Sequence, residues 1–485
     1  MIARCIECLR ELGDYEASVE ACRLVLAEKP DSIGALNNLG VALCALGRNA
    51  EAIMHYQSAL LQDPQNTTTL HNLGVALHAE GAVDDAERCL RKCLKERPNW
   101  HEAQRSLANL RRSVGDLSEA ATLYQAVIDS RPLDFKSYGN LGLVLLNLNR
   151  PEDAITVYEK ALALEPDHAD LQTGLGIAQL ATGDFANGWK NYDARLRMPQ
   201  SAVWRPGHGL PVWQGEWRKP DMNTPAIVLI HAEQGFGDTL QFCRFLAPLR
   251  ALGISVIFEC QPALIPLMTC LQSGDAESPF RLIAPSDPLP DCDYHLPLLS
   301  LPGRFETDLT TIPADAPYLS APESSRAKWQ TVTTDGKFSV GLVWQGNPHR
   351  QDDRHRSCPL DAIAPIASLT EIEFISLQKG VSQDRFSNIR DLGDGLTDFA
   401  DTAAIVERLD LVITVDTAVA HLAGALGRPV WVMLGYAADW RYLTDRDASP
   451  WYPSMRLFRQ AAPGDWMSVT QQIASALQER AARSL

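Results

Sequence analysis

The chain has 485 residues, 46% of them hydrophobic and 21% charged, with a formal net charge of −16. That length suits about three domains, and the acidic balance disfavours nucleic acid or an anionic membrane surface as a general partner. No apolar run approaches the roughly 20 residues of a membrane span and MIARCIECLRELGD has no apolar signal core, so a cytoplasmic setting with dispersed, reduced, structural cysteines is expected.

From the start to about residue 199 the chain repeats itself. Pro30, Pro64, Pro98, Pro132 and Pro166 are 34 residues apart, and Gly13, Gly47, Gly81, Gly115 and Gly183 keep the same period with Asn149 in the vacant slot. Gly40, Gly74, Gly142 and Gly176 form a third series, Ala52, Ala86, Ala120 and Ala154 a fourth, and Tyr56, Tyr124, Tyr158 and Tyr192 a fifth. Small residues let paired helices approach, an aromatic fills the gap and proline closes the unit, so the pattern resembles the tetratricopeptide repeat. An all-α solenoid over 1–199 is predicted, with repeats starting near Ile33, Thr67, His101, Phe135 and a variant fifth from Ala169. Met1 falls inside a repeat, so either the array begins without a capping unit or the natural chain is longer.

Residues 200–225 are rich in Trp, Pro and Gly (Trp204, Trp213, Trp217) and read as an ordered junction docking the repeats onto the remainder of the chain. From 226 strands and helices alternate, which predicts parallel doubly wound sheets in two Rossmann-like lobes, 226–322 and 323–485. The first lobe has strands Ala226–His231, Ser255–Cys260 and Arg281–Pro285, with a helix from Asp238 to Leu252 and another from Ala263. The second has strands Phe338–Gly346, Glu373–Gly380, Leu411–Val415 and Pro429–Gly435, with helices Leu360–Leu369, Asp398–Leu409 and one from Asp416 to about Leu426.

Two strand-to-helix junctions carry the chemistry. In AEQGFGD, Gly235 and Gly237 permit close backbone approach and leave Asp238 at the mouth of a helix. In LVITVDTAVAH, Asp416 suits an N-cap, while Thr417 and His421 share one face of the first turn. A helix start at a strand's carboxyl end is an anion site, suited to a diphosphate. Gln378, Asn347 and Trp344 follow other strands of the second lobe, and Trp440 and Arg441 lie in a loop past its last expected strand. Asp291-Cys-Asp293 and Asp445-Arg-Asp447 match a metal-binding Asp-x-Asp pattern but read as solvated loop acids.

On GFGD, VGLVWQGNP, SLQ and DTAVAHLAGALGRP, the stretch from Ala226 to Leu477 resembles the ADP-heptose:lipopolysaccharide heptosyltransferases, glycosyltransferases of the GT-B fold. Joined to the repeats, it is also similar in architecture to protein O-GlcNAc transferases. The resemblance implies Asp238 as catalytic base and Thr417 and His421 as holders of a donor diphosphate. Ala418 stands where those enzymes usually have Gly, and their lysine early in the second lobe is lacking, with Arg354 and Arg356 the nearest cations. It also likens Asn38, Asn72 and Asn140, at the sixth position of each first helix, to an asparagine ladder whose amides clamp a peptide backbone.

The expected function is therefore metal-independent sugar transfer from a nucleotide-sugar to a hydroxyl, without a cofactor. Asp238 would take the proton. Helix-start amides, Thr417, His421, Asp416, Arg356, Gln378, Gly237, Asn347 and Trp440 would line the donor site. The repeats would bind a protein, peptide or glycan-bearing partner. Two alternatives remain at this point: a tetratricopeptide scaffold with a silent GT-B half, and another GT-B enzyme such as a nucleotide-sugar epimerase, which would need further acid/base residues.

Overall fold

The computed structural model describes residues 2–198, 209–215, 225–272, 279–334, 336–348, 353–380 and 386–484. The chain forms two compact units: Met1–Leu148 with Thr156–Pro166, and Asn149–Ile155 with Asp167–Leu485.

The first unit is helical throughout its regular structure. Each repeat's first helix starts where the 34-residue spacing predicts, at Ile33–Ala45, Thr67–Ala79, His101–Ser113 and Phe135–Asn147. Ser32 and Asn66 cap two of these helices by accepting hydrogen bonds from Ala35 N and Thr69 N. The inter-helix turns need a left-handed residue, which glycine supplies at Gly13, Gly47, Gly81 and Gly115, each at a φ between 75° and 89°. Asn149, filling the vacant slot, adopts the same conformation at φ 55°. The small-residue series has a direct cause: a Cβ on Gly40 would run into the Tyr56 ring. Successive first helices are tied by Asn37 Nδ2 to Thr69 Oγ1 (2.6 Å), His71 to Ser106 (3.0 Å) and His78 to Ser113 (2.9 Å).

In the second unit, helices Ala169–Thr182 and Phe185–Tyr192 precede two parallel sheets. The first sheet comprises β1 (Ile227–His231), β2 (Ser255–Glu259), β3 (Phe280–Ile283) and β4 (Tyr294–Pro297) in the order β3-β2-β1-β4. The second comprises β5 (Phe338–Val343), β6 (Ile372–Ser376), β7 (Ile389–Asp391), β8 (Leu411–Val415), β9 (Val430–Leu434) and β10 (Met455–Arg459). Its order, β10-β9-β8-β5-β6-β7, is the doubly wound 3-2-1-4-5-6 arrangement. Together the two lobes have the α/β architecture of the GT-B fold. Connections reverse direction between β1 and β4 and between β5 and β8, leaving a crevice at the strands' carboxyl ends in each sheet.

Three strands escape the alternation pattern. β4 carries a histidine and a proline, β7 is three residues long, and β10 has arginine at its second and last positions. The expected helix Asp238–Leu252 is broken into Phe236–Phe242, a 3₁₀ turn Cys243–Phe245, and Leu246–Ala251. Pro248 lacks the N–H that would bond Arg244 O, and its ring crowds that carbonyl. Pro365 divides the Leu360–Leu369 stretch in the same way. Trp204 and Trp217 lie outside the described residues. Trp213 is buried beside β4, where its backbone N–H donates to His295 O (2.8 Å). No described helix is long and apolar enough to cross a membrane.

Overpacking tests the glycine series. Gly40→Ala should lower stability by about 1–3 kcal/mol as the methyl meets Tyr56. Gly34→Ala, in the same helix with nothing within 4 Å, should be neutral or stabilising by about 0.5–1 kcal/mol. Paired thermal melts of the two variants read the difference.

Candidate active site

The β1 crevice is occupied by the loop 232–235 and the start of the Phe236–Phe242 helix. Asp238 folds back over this start, and its Oδ2 accepts a hydrogen bond from Gly235 N (2.8 Å). Burial pushes the Asp238 carboxyl above the usual carboxylate range; Arg441 opposes this, while Asp439 and Asp416 add to it. Glu233 in the same loop is a less suitable base. It forms a forked ion pair with Arg195 (2.7 and 3.0 Å) and accepts from Leu299 N (3.2 Å).

The second crevice is built at the end of β8. Its helix spans Ala418–Ala425 with Thr417 as N-cap, one residue later than the sequence suggests, and no side chain caps that start. Asp416 is diverted because its carboxylate accepts from Tyr442 Oη (2.8 Å). Its carbonyl accepts from Arg356 Nη2 (2.6 Å), which brings a guanidinium to the helix start. The Arg356 Nε has no hydrogen-bond partner among the described residues. Thr417 and Thr414 share a hydroxyl hydrogen bond (2.9 Å).

His421, one turn into the helix, is buried, and burial followed by the nearby Arg441 charge depresses its imidazole to about 3. It is therefore neutral at physiological pH. Its Nδ1 is hydrogen-bonded to Tyr452 Oη (3.1 Å), leaving Nε2 on the side toward Gly237. Gly237 is what lets the lobes meet. A Cβ there would stand 2.9 Å from His421 Cδ2 and 3.5 Å from Ala418 Cα. The helix starts that carry Asp238 and His421 thus pack against each other.

The loop beyond β9 reinforces that contact. Arg441 forms ion pairs with Asp238 of the first lobe and with Asp439 (2.8 Å), and lies over the rings of Trp440 and Phe242 (4.6 and 5.6 Å to the centroids). Arg244 clasps the lobes from the other side, donating to Trp451 O (2.6 Å) and Tyr318 Oη (2.9 Å).

Other residues singled out from sequence are placed differently. Trp440 is buried in an aromatic cluster with Trp189, Tyr192, Phe242 and Trp451. Gln378 is buried and spent on the loop after β5: its Oε1 accepts from Trp344 N and Gln345 N, and its Nε2 donates to Gln345 O. Asn347 is exposed at that loop. Asp293 is not a solvated acid: it accepts from Ile227 N (2.8 Å) at the amino end of β1, opposite the crevice. Asp445 and Asp447 are exposed. In the repeats, Asn38, Asn72 and Asn140 are half-buried; Asn38 accepts from Arg10 (3.5 Å) and Asn72 contacts His71 (3.3 Å).

Sequence reasoning singled out Arg441 by its loop but missed its pairing with Asp238, and it missed Arg195. Arg195 joins Asp193, Glu233 and Ser300 in a buried network that locks the last repeat's end to the first lobe. The unusual ending of that repeat, GWKNYDARL, is the one signal that could have pointed to it.

Comparison with known proteins adds to this geometry. A model for glycosyltransferase family 9 (heptosyltransferase) matches residues 394–455. Tetratricopeptide-repeat models match 31–95, and 71–135, 105–158 and 140–188. Protein FlbA of Caulobacter vibrioides is 23% identical over 402 residues, covering 71% of this chain and 67% of FlbA, a share larger than the repeats or the α/β part alone can supply. Among solved structures, MamA is 22% identical with a TM-score of 0.31, covering 33% of this chain and 94% of MamA. A tetratricopeptide repeat protein from Parabacteroides merdae is 18% identical with a TM-score of 0.36, covering 41% of this chain and 77% of its own. The chain carries tetratricopeptide repeats and a glycosyltransferase family 9 domain, and it is a glycosyltransferase with a protein-interaction module.

The neutrality of His421 is testable by selective ¹³C-histidine NMR. The signal lost in His421→Gln should stay neutral down to pH 5 and titrate only near 3. A folded value below the unfolded 6.5 means that the stability it contributes is present above pH 6.5 and is lost as the pH falls toward 3. A signal titrating near 6.5 would refute the buried, neutral assignment.

Proposed function

We propose that the enzyme transfers a sugar from a nucleoside-diphosphate sugar to an acceptor hydroxyl without a metal ion. The observation that carries this is the uncapped start of the Ala418–Ala425 helix at the β5/β8 switch point, with Arg356 beside it and Gly237, the neighbour of Asp238, packed against it. Helix-start amides and an arginine favour a leaving diphosphate.

Asp238 is the proposed general base. A carboxyl raised by burial is better matched to taking a hydroxyl proton than an ordinary one. Thr417 and neutral His421 would donate hydrogen bonds to phosphate oxygens, and Arg356 would supply positive charge. Asp416 is assigned to holding Arg356 and Tyr442, not to touching substrate. Gln378 is assigned to shaping the loop after β5. The repeats would recruit a protein substrate or partner, with Asn38, Asn72 and Asn140 offered to a peptide backbone, since the neighbouring Asn37 and His71 are used between repeats.

Thermal-shift screening against ADP-, UDP-, GDP- and CMP-sugars tests the donor. A ligand at a hundred times its Kd adds about 2.7 kcal/mol. One or more diphosphate donors should stabilise the protein and the CMP-sugars, with a single phosphate, should not. Arg356→Gln should cost about 1.5–3 kcal/mol of that binding. With a cognate pair, Asp238→Asn should reduce turnover roughly 10²–10⁴-fold. Absence of any donor-induced shift would favour the silent-scaffold alternative.

A further inference from the structure

Among the described side chains, few cations at the site are free to meet a bound diphosphate. His421 is neutral. Arg244, the nearest buried arginine behind His421, is committed on all sides: Nε to Gln241 O, Nη1 to Trp451 O and Pro313 O, and Nη2 to Tyr318 Oη. Arg356 supplies one charge. Among the described side chains, the other arginine there is Arg441, and it is held by two carboxylates.

Asp238 has the complementary difficulty. As a base it must offer a lone pair to the acceptor hydroxyl, and both oxygens already accept a hydrogen bond, one from Arg441 Nη2 and the other from Gly235 N, each of which draws on the basicity of the carboxylate. A carboxylate held by a guanidinium is a weaker base than a released one. Both difficulties have one remedy. We propose that Arg441 is a donor-operated latch: it holds Asp238 in the donor-free enzyme and exchanges that carboxylate for the donor diphosphate, releasing the base only when the donor is in place. This rests on the proposed function above.

Three further observations locate the exchange at the Asp238 bond. The bond to Asp439 is local, two residues away, and Asp439 also accepts from Arg441 N (3.0 Å), so that pair travels with its loop. The bond to Asp238 crosses between lobes, 203 residues apart in sequence. The Arg441 side chain is 9% exposed, yet its Nε is buried with no hydrogen-bond partner among the described residues, an unfilled donor beside an anion site. The residue next to Asp238, Gly237, already touches the helix start, so little movement is required. Gating the base in this way would limit futile deprotonation before the donor binds.

The test is a double-mutant cycle on nucleoside-diphosphate affinity, measured by calorimetry with whichever of ADP, UDP or GDP binds the intact chain. If Arg441 is shared, Asp238→Asn frees it and tightens binding about 3- to 10-fold, where tenfold corresponds to about 1.4 kcal/mol. Loss of simple repulsion between Asp238 and phosphate would also tighten binding, but would do so in any background. Hence in Arg441→Gln, Asp238→Asn should change affinity less than about twofold. If Arg441→Gln does not fold by its thermal melt, Arg441→Lys replaces it, keeping the charge without the fork, and the coupling should again fall. Unchanged or weakened affinity in Asp238→Asn, or equal tightening in both backgrounds, overturns the latch while leaving the donor site intact. Failure of every nucleoside diphosphate to bind the wild type removes the proposed function and the latch with it.

Discussion

Three consecutive side chains in one short turn, Trp440, Arg441 and Tyr442, tie together the parts of the second unit. The indole enters the aromatic cluster with Trp189 and Tyr192 from the last repeat. The guanidinium crosses to Asp238 in the first lobe, and the phenol reaches back to Asp416 at the end of β8. Asp439 caps the turn by accepting from Arg441 N, so the three directions are set by one backbone geometry. A shift of this turn would change the packing of the repeat end, the state of the proposed base and the position of the proposed anion site together.

The aromatic side of this turn is a stability term and the ionic side is not. Trp440, Trp451, Trp189 and Phe242 are almost completely buried, and large aromatics in such clusters gain from area burial and edge-to-face contact alike. The Arg441–Asp238 pair, in contrast, takes two charges out of water, and such pairs often contribute nothing net compared with an apolar replacement. Stability alone therefore gives no reason for an ion pair at this position. A charge-bearing cleft is a better reason, because a polar, mobile ligand can exchange with one member of the pair.

Local signals were legible in the sequence and long-range ones were not. The 34-residue series placed each first helix of the repeats to the residue, since proline, left-handed glycine and small-residue contacts act within one repeat. The run Leu411–Val415 is the strand β8 without adjustment, because a buried parallel strand is apolar on both faces. β7 and β10 failed that test: one is too short and the other is an edge strand with exposed arginine. Asp416 was a sound N-cap by composition, and only Tyr442, twenty-six residues on, diverts it. Trp440 and Gln378 are polar-tipped residues near strand ends whose packing depends on neighbours far away in the chain. The Arg441–Asp238 pair joins two lobes, so no local pattern could reveal it.

The proposed electrostatics of the cleft differ from a simple cationic pocket. Tyr452 holds His421 by Nδ1, and burial keeps the ring neutral, so it offers one oriented N–H and no charge. A neutral donor beside a helix start costs less to bury than an imidazolium and leaves fewer charges to be neutralised when the site is empty. Among the described side chains, the formal positive charge of the proposed donor site then rests on two arginines, one bonded to a backbone carbonyl and one to carboxylates. Arg356 can add a phosphate contact without surrendering a charged partner. Arg441 has a carboxylate on each Nη, so an anion that draws the guanidinium away from Asp238 also changes the state of that carboxylate, which couples donor occupancy to the base by charge balance.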